Sequence, residues 1–100
     1  MPIDAVFKAL ADPTRREILR LLGQRDMTAG EIAAAFDRSP STISEHLGVL
    51  RDAGLVVTER SGTSIVYSLN TAAHEELLAA VMRLLHIGEQ VEESRDGSTP

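Results

Sequence analysis

Four hydroxyl side chains crowd the front of the stretch SPSTISEHLGVLRDAGLV, residues 39–56: Ser39, Ser41, Thr42 and Ser44, followed at once by Glu45 and His46. Such groups support two kinds of chemistry. A hydroxyl beside a histidine can form a nucleophile and its base, and hydroxyls along a helix can donate to and accept from an extended polar ligand. Spacing excludes the first for the two serines, because His46 stands two and five positions from Ser44 and Ser41, offsets that do not meet on one helix face. The three histidines are scattered, cysteine is absent, and no glycine-rich phosphate loop is present. No nucleophile and base are assembled, so the chain is not expected to be an enzyme. The second chemistry stays open: Ser and Thr can meet base edges or phosphates, and a glutamate can accept from cytosine N4.

The elements that must carry these groups are legible. A first helix is expected over residues 4–11, with Asp4 as N-cap and Ile3, Val6, Phe7 and Leu10 on one face. In ADPTRREILRLLG, Asp12 caps a second helix, Pro13 suits its first position and Gly23 ends it. Ile18 and Leu22 mark its inner side, leaving Arg15, Arg16 and Arg20 outside. Thr28 and Glu31 stand three apart before an apolar run, a capping box for a third helix over about 29–36. Ser39 then caps a fourth, from about 40 to 53, with Pro40 in its first position and Gly54 where a left-handed residue belongs.

Beyond Gly54 the period changes. LVVTER and SIVYSL are rich in β-branched and aromatic residues, and the intervening SGT makes a hairpin the natural connection. A last helix is expected over 72–90, followed by a flexible acidic tail over 91–100 without apolar pattern. The fold class is therefore mainly α with a small β-hairpin, in one domain over 1–90.

At about 100° per residue, Ile43, Leu47 and Leu50 fall together as the inner stripe of the fourth helix. Ser41, Ser44, Glu45 and Gly48 fall on the opposite side, with Arg51 and Asp52 at its edges and His46 beside the stripe. A short helix precedes it across a brief turn, the helix-turn-helix layout, in which the front of the second helix enters the major groove. Thr42 and His46 are candidate flanking contacts, and Arg60 and Thr63 at the hairpin tip could reach the backbone beside the site. Ser39 is better explained as a cap than as a base reader, and Ser41 and Ser44 admit a merely solvated reading.

The net charge of −5 argues against a nucleic-acid partner only superficially. Residues 71–100 hold two basic against six acidic residues, while residues 1–70 hold eight against nine. Fields are local, screened within about 8–10 Å, so an acidic end leaves the helix-turn-helix surface free to bind a polyanion. Near-neutrality over 38–65 also suits an alternative, a winged-helix module that binds a protein. The opening MPIDAVFKALAD, with two aspartates and no long apolar run, is not expected to act as a leader, and no run approaches a membrane span. Absence of cysteine fits a reducing, cytoplasmic setting.

The last helix carries Leu77, Leu78, Val81, Met82, Leu84, Leu85 and Ile87. They cover more than half its circumference, wider than the stripe of about 100° that one-sided packing needs. A homodimer formed by this helix and the first, through Phe7, Leu10, Leu77, Val81, Leu84 and Leu85, would bury the excess and set two fourth helices about one DNA turn apart.

In order, FKALADPTRREILRLL, MTAGEIAAAF, SPSTISEHLGVLRDAGLV and RSGTSIVYSLN resemble the ArsR/SmtB winged-helix transcriptional repressors over about residues 4–70. DPTRR, MTAG and YSLNT are most similar to the autorepressor type. The resemblance implies a homodimer that binds a near-palindromic double-stranded DNA operator and blocks transcription. It places DNA reading on Ser41, Ser44 and Glu45, with Thr42 and His46 nearby, and a wing arginine on Arg60. Pro40 stands where many members carry a polar reader. Release by a regulatory protein partner, or by concentration alone, is what the autorepressor resemblance suggests.

Many members sense metals. The family's paired cysteines of the third helix are missing from GEIAAAF. For the family's site on the last helix, His86 and Glu89 give a His-x-x-Glu with His74 upstream, but Ala72 replaces the aspartate and the His74–His86 interval is one residue too long. No metal or other cofactor is expected.

Overall fold

The local capping chemistry sets the helix boundaries. In the computed structural model, which describes residues 2–87, the elements are α1 (Ile3–Leu10), α2 (Pro13–Leu22), β1 (Met27–Thr28), α3 (Ala29–Ala35), α4 (Pro40–Asp52), β2 (Val56–Ser61), β3 (Ser64–Leu69) and α5 (Thr71–Leu84). Asp12 accepts the Arg15 N–H at 3.0 Å to cap α2. Thr28 and Glu31 form a reciprocal capping box at α3, with bonds of 3.1 and 2.9 Å. Ser39 caps α4 through the Thr42 N–H at 3.3 Å. At the far end of α4, Gly54 takes φ 79°, its N–H donates to the Arg51 carbonyl, and the Leu55 N–H reaches back to Leu50. This pair of bonds closes a Schellman motif, which needs a residue without Cβ strain at that position.

Three expectations require correction. Asp4 does not cap α1. Pro2 holds the N-cap position, and Asp4 sits inside the first turn, where its negative charge complements the positive end of the helix. Arg15 does not face outward; it is half-buried and bonds across three helices. The last helix, expected to run unbroken, is interrupted after Leu84, because His86 adopts φ 57°, a left-handed turn that breaks the ladder; residues 88–90 of the expected span lie outside the described residues. Glu89 and the tail over 91–100 lie outside the described residues.

The core draws on every element but β3 and α5. Val6 and Ala9 of α1, Ile18 and Leu22 of α2, Ile32 of α3, and Ile43, Leu47 and Leu50 of α4 are buried with Met27, Ala53, Leu55 and Val56. The inner stripe read from the wheel is therefore the observed one. α5 contributes no buried residue, although Leu77 packs against the rim of the core.

The sheet has the order β1-β3-β2, all antiparallel. β2 and β3 pair from Val56↔Leu69 to Ser61↔Ser64, leaving Gly62 and Thr63 as a two-residue loop. Gly62 has φ 64°, the positive value that the first position of such a loop demands. The short β1 adds Met27↔Tyr67 and Thr28↔Val66. Among the described residues, no helix is long and apolar enough to cross a membrane.

Candidate nucleic-acid interface

α4 is anchored by one face and bare on the other. Ile43 and Leu50 are completely buried and Leu47 nearly so, which fixes the rotation of the helix about its axis. Ser41, Ser44 and Glu45 are consequently exposed, and Gly48 is half-buried on the same side. A Cβ built on Gly48 would meet nothing within 4 Å, so packing inside the domain does not demand glycine there.

The hydroxyls divide into two kinds. Ser39 Oγ lies 2.9 Å from Thr42 Oγ1 and 3.2 Å from Ser41 Oγ, a small network wrapped around the cap. Ser44 has no such tie to another described residue, and its hydroxyl faces outward unengaged. Thr42 is half-buried. His46 also turns from the exposed row: its side chain is 16% exposed, and Nδ1 lies 3.2 Å from Arg15 Nη1 and 3.9 Å from Asp12 Oδ2. Ser41, Ser44, Glu45 and Gly48 are thus brought together, with Thr42 and His46 at the margin.

Arg60 and Thr63 are exposed at the far end of the hairpin, Arg60 paired in register with Ile65. Several cations elsewhere are engaged within the domain, although the side chains of Lys8 and Arg83 are not. Arg20 binds the Glu17 carboxylate, Arg25 binds Glu31 at 3.3 Å, and Arg16 donates to the Leu10 carbonyl at 2.8 Å. Hydrogen bonding to Arg20 holds the Glu17 carboxyl below its usual range, and the Thr28 N–H, aided by Arg25, does the same for Glu31. Among the described residues, Arg38, Arg51 and Arg60 have no ion-pair partner. Arg38 precedes the cap of α4, Arg51 lies in its last turn, and Arg60 sits on the hairpin. The sequence reading passed over Arg38 because a lone arginine in a turn carries no motif. Only the fate of its neighbours, each neutralised or not, brings it out.

A family model described as a helix-turn-helix domain matches residues 10–59, from the end of α1 to the hairpin. The transcriptional repressor SdpR of Bacillus subtilis (strain 168) is 44% identical over 84 residues, covering 84% of this chain and 93% of that protein. A solved ArsR family transcriptional regulator matches over 92% of this chain and 97% of its own length, with a TM-score of 0.73 and 30% identity.

The chain belongs to the ArsR family of winged-helix transcriptional regulators. An ArsR-like regulator from Rhodococcus sp. RHA1 aligns over 96% of the chain and 91% of its own, with a TM-score of 0.78 at 29% identity. As an ArsR-family member the chain is a DNA-binding transcriptional regulator. Its α3 and α4 are the helix-turn-helix pair, and β2 and β3 form the wing.

The ArsR-family frame also bears on the expected dimer surface. Phe7 is 43% exposed, and Leu78, Leu84 and Leu85 are 62, 59 and 59% exposed. Leu10, Leu77 and Val81 are half-buried. Among the described residues no group of three or more His, Asp or Glu side chains is placed to hold a metal ion, and Glu89 is not one of those residues.

Proposed function

We propose that this ArsR-family chain is a homodimeric repressor that occludes a near-palindromic operator, with α4 reading the major groove and the wing gripping the adjoining backbone. One observation carries the reading: α4 buries Ile43, Leu47 and Leu50 completely or nearly so, while Ser41, Ser44, Glu45 and Gly48 stay accessible in one row. In this arrangement Ser41 and Ser44 exchange hydrogen bonds with base edges, and Glu45 accepts from a cytosine amino group. Gly48 leaves room for the helix to approach the duplex. Arg38, Arg51, Arg60 and Thr63 supply contacts to phosphate, which carry most of the affinity without reading sequence. Thr42 and His46 support the row from its margins.

The apolar faces of α1 and α5 form the two-fold interface in this reading. A helix of fourteen residues with none buried, carrying Leu78 and Leu84 more than half exposed, has more apolar surface than its own domain covers. A closed C2 dimer is the simplest way to remove it from water. Repression acts in a cytoplasmic setting, and autoregulation together with release by a protein partner belongs to the same proposal.

Selection of bound fragments from genomic DNA, followed by affinity measurement over a salt series, tests the reading. A steep linear fall of log K with log[salt] and recovery of a sequence with two-fold symmetry support it. Recovery of no fragment at low salt would transfer the surface to the protein-interaction alternative, which the repressor and regulator names of the relatives do not favour.

A further inference from the structure

Arg15 differs from every other arginine of α2 in what it touches. Its Nε donates to the Ala9 carbonyl at 2.7 Å and its Nη2 to the Lys8 carbonyl at 3.1 Å, both among the last carbonyls of α1; the Lys8 carbonyl also accepts from the Ala11 N–H. Its Nη1 lies 3.2 Å from Nδ1 of His46 on α4. Its backbone N–H donates to Asp12, the cap of α2. One side chain therefore joins the end of α1, the start of α2 and the middle of α4.

We propose that Arg15 is a positioning residue for DNA reading, setting the angle of α4 against α1 through a hydrogen bond that only neutral His46 can accept. The proposal rests on α4 being the helix that enters the groove. A guanidinium has five N–H donors, no acceptor and a permanent charge. Nη1 must therefore donate, Nδ1 must accept, and the ring proton must reside on Nε2. A protonated ring would set an N–H against a guanidinium, and the bond would be lost. Among the described residues, the charged groups in contact with this ring are Arg15 and Asp12, whose Oδ2 lies 3.9 Å from the same nitrogen. Protonation thus exchanges one partner for the other within the first turn of α2: the ring leaves the Arg15 guanidinium, which is held on the carbonyls of α1, and turns toward the Asp12 carboxylate.

α1 and α4 share the buried core of Val6, Ala9, Leu50 and Ala53, and beside it a surface groove lined by Ala5, Lys8, Val49, Asp52 and Ala53 stays open, so packing sets that angle only in part. A duplex that holds α4 in its groove accepts one orientation, whereas the free domain can relax into either. Acid therefore weakens binding. Direct contact of a protonated His46 with phosphate would do the opposite and strengthen it, so the sign of the pH effect separates the two roles.

The test measures affinity for the duplex recovered by genomic selection, at fixed salt, across about pH 5 to 8, where histidines titrate. The wild-type protein should lose about tenfold on acidification, the worth of one hydrogen bond to a charged group. His46→Asn, which keeps an acceptor at the Nδ1 position and does not titrate, should bind with a flat profile. Arg15→Met should show the acid-weakened affinity already at the alkaline end. Affinity that rises on acidification, or Arg15→Met that binds like wild type throughout, overturns the proposal. Nitrogen-15 spectra of the free protein decide it without DNA. Arg15→Met should shift the His46 ring nitrogens together with the amides of Ser41 and Ser44, and unmoved α4 amides refute the clamp. Failure to recover any duplex would refute DNA reading by α4, while those spectra still decide whether Arg15 sets the helix.

Discussion

Replacing Ser44 by alanine is the sharpest perturbation of the proposed interface, because the hydroxyl has no internal partner to lose. In the neighbouring network Ser39 holds the cap, and Ser41 and Thr42 lean on it at 3.2 and 2.9 Å. Ser44 stands clear and exposed. Stability should therefore move by no more than about 0.5 kcal/mol, with a small gain favoured because alanine is the better helix former. One hydroxyl-to-base bond falls at the low end of the range for a specific base contact, about 1 kcal/mol. A dimer presents the residue twice, giving about 2 kcal/mol, or roughly thirtyfold in discrimination between the operator and a duplex altered at the contacted base. The assay is competition between the two duplexes, followed by anisotropy at constant salt with a thermal melt of each protein alongside. An equal loss on every duplex would make Ser44 a phosphate contact. No loss on any would remove it from the interface and leave a solvated serine.

Arg60→Ala should weaken binding nearly uniformly across sequences and reduce the salt slope by about 0.9 for each phosphate contact removed; an unchanged slope takes the wing arginine out of the model. Gly48→Ala should stabilise the free protein by up to about 1 kcal/mol in a melt, since an added Cβ meets nothing within 4 Å. It should also lower DNA affinity, and undiminished affinity would show that the duplex does not approach closely there. Asp12→Ala should cost about 1 kcal/mol at neutral pH through loss of the α2 cap. The Arg15 N–H, chiefly, holds the Asp12 carboxyl below its usual value. That stabilisation is complete above about pH 4 and fades as the pH falls through the lowered folded value. Wild type and variant should therefore converge in acid, and a gap that persisted there would contradict the cap. Leu84→Glu, at a position 59% exposed in the single chain, should yield a folded monomer in sedimentation experiments; an unchanged dimer would place the interface elsewhere.

Short-range chemistry was the readable part of the chain. Asp12, Thr28 with Glu31, Ser39 and Gly54 each act within a few residues, so sequence alone located α2, α3 and α4 almost to the residue. The inner stripe of α4 followed from period. Long-range pairing was not readable. β1 is two residues long and its Thr28 already bore the capping signal, so nothing marked Met27 as the partner of Tyr67. Arg15 looked like any solvent-facing arginine because its three acceptors come from other helices. The interruption after Leu84 escaped notice because His86 takes a backbone shape that glycine usually announces. Asn70 was equally silent: its side chain accepts from Ala73 to start α5 and donates to the Gly54 carbonyl at 2.9 Å, and nearby His74 Nε2 donates to the Leu55 carbonyl. Those bonds connect the terminus of the reading helix to α5 across a sequence gap that no local pattern spans. At the candidate site, the residue types were legible, but whether each was already engaged required coordinates.

The short strand β1 has a mechanical consequence. Thr28 is at once the rung paired with Val66 and the cap of α3, so the base of the hairpin is riveted to the helix-turn-helix. From Arg60 through Ile65 the ribbon has only its own two strands, and a lone pair of strands is barely self-supporting in water. Stiffness therefore declines toward the arginine end. The protein can let its outer fingers conform to whatever backbone path a bent or straight duplex offers, while the reading helix stays in register.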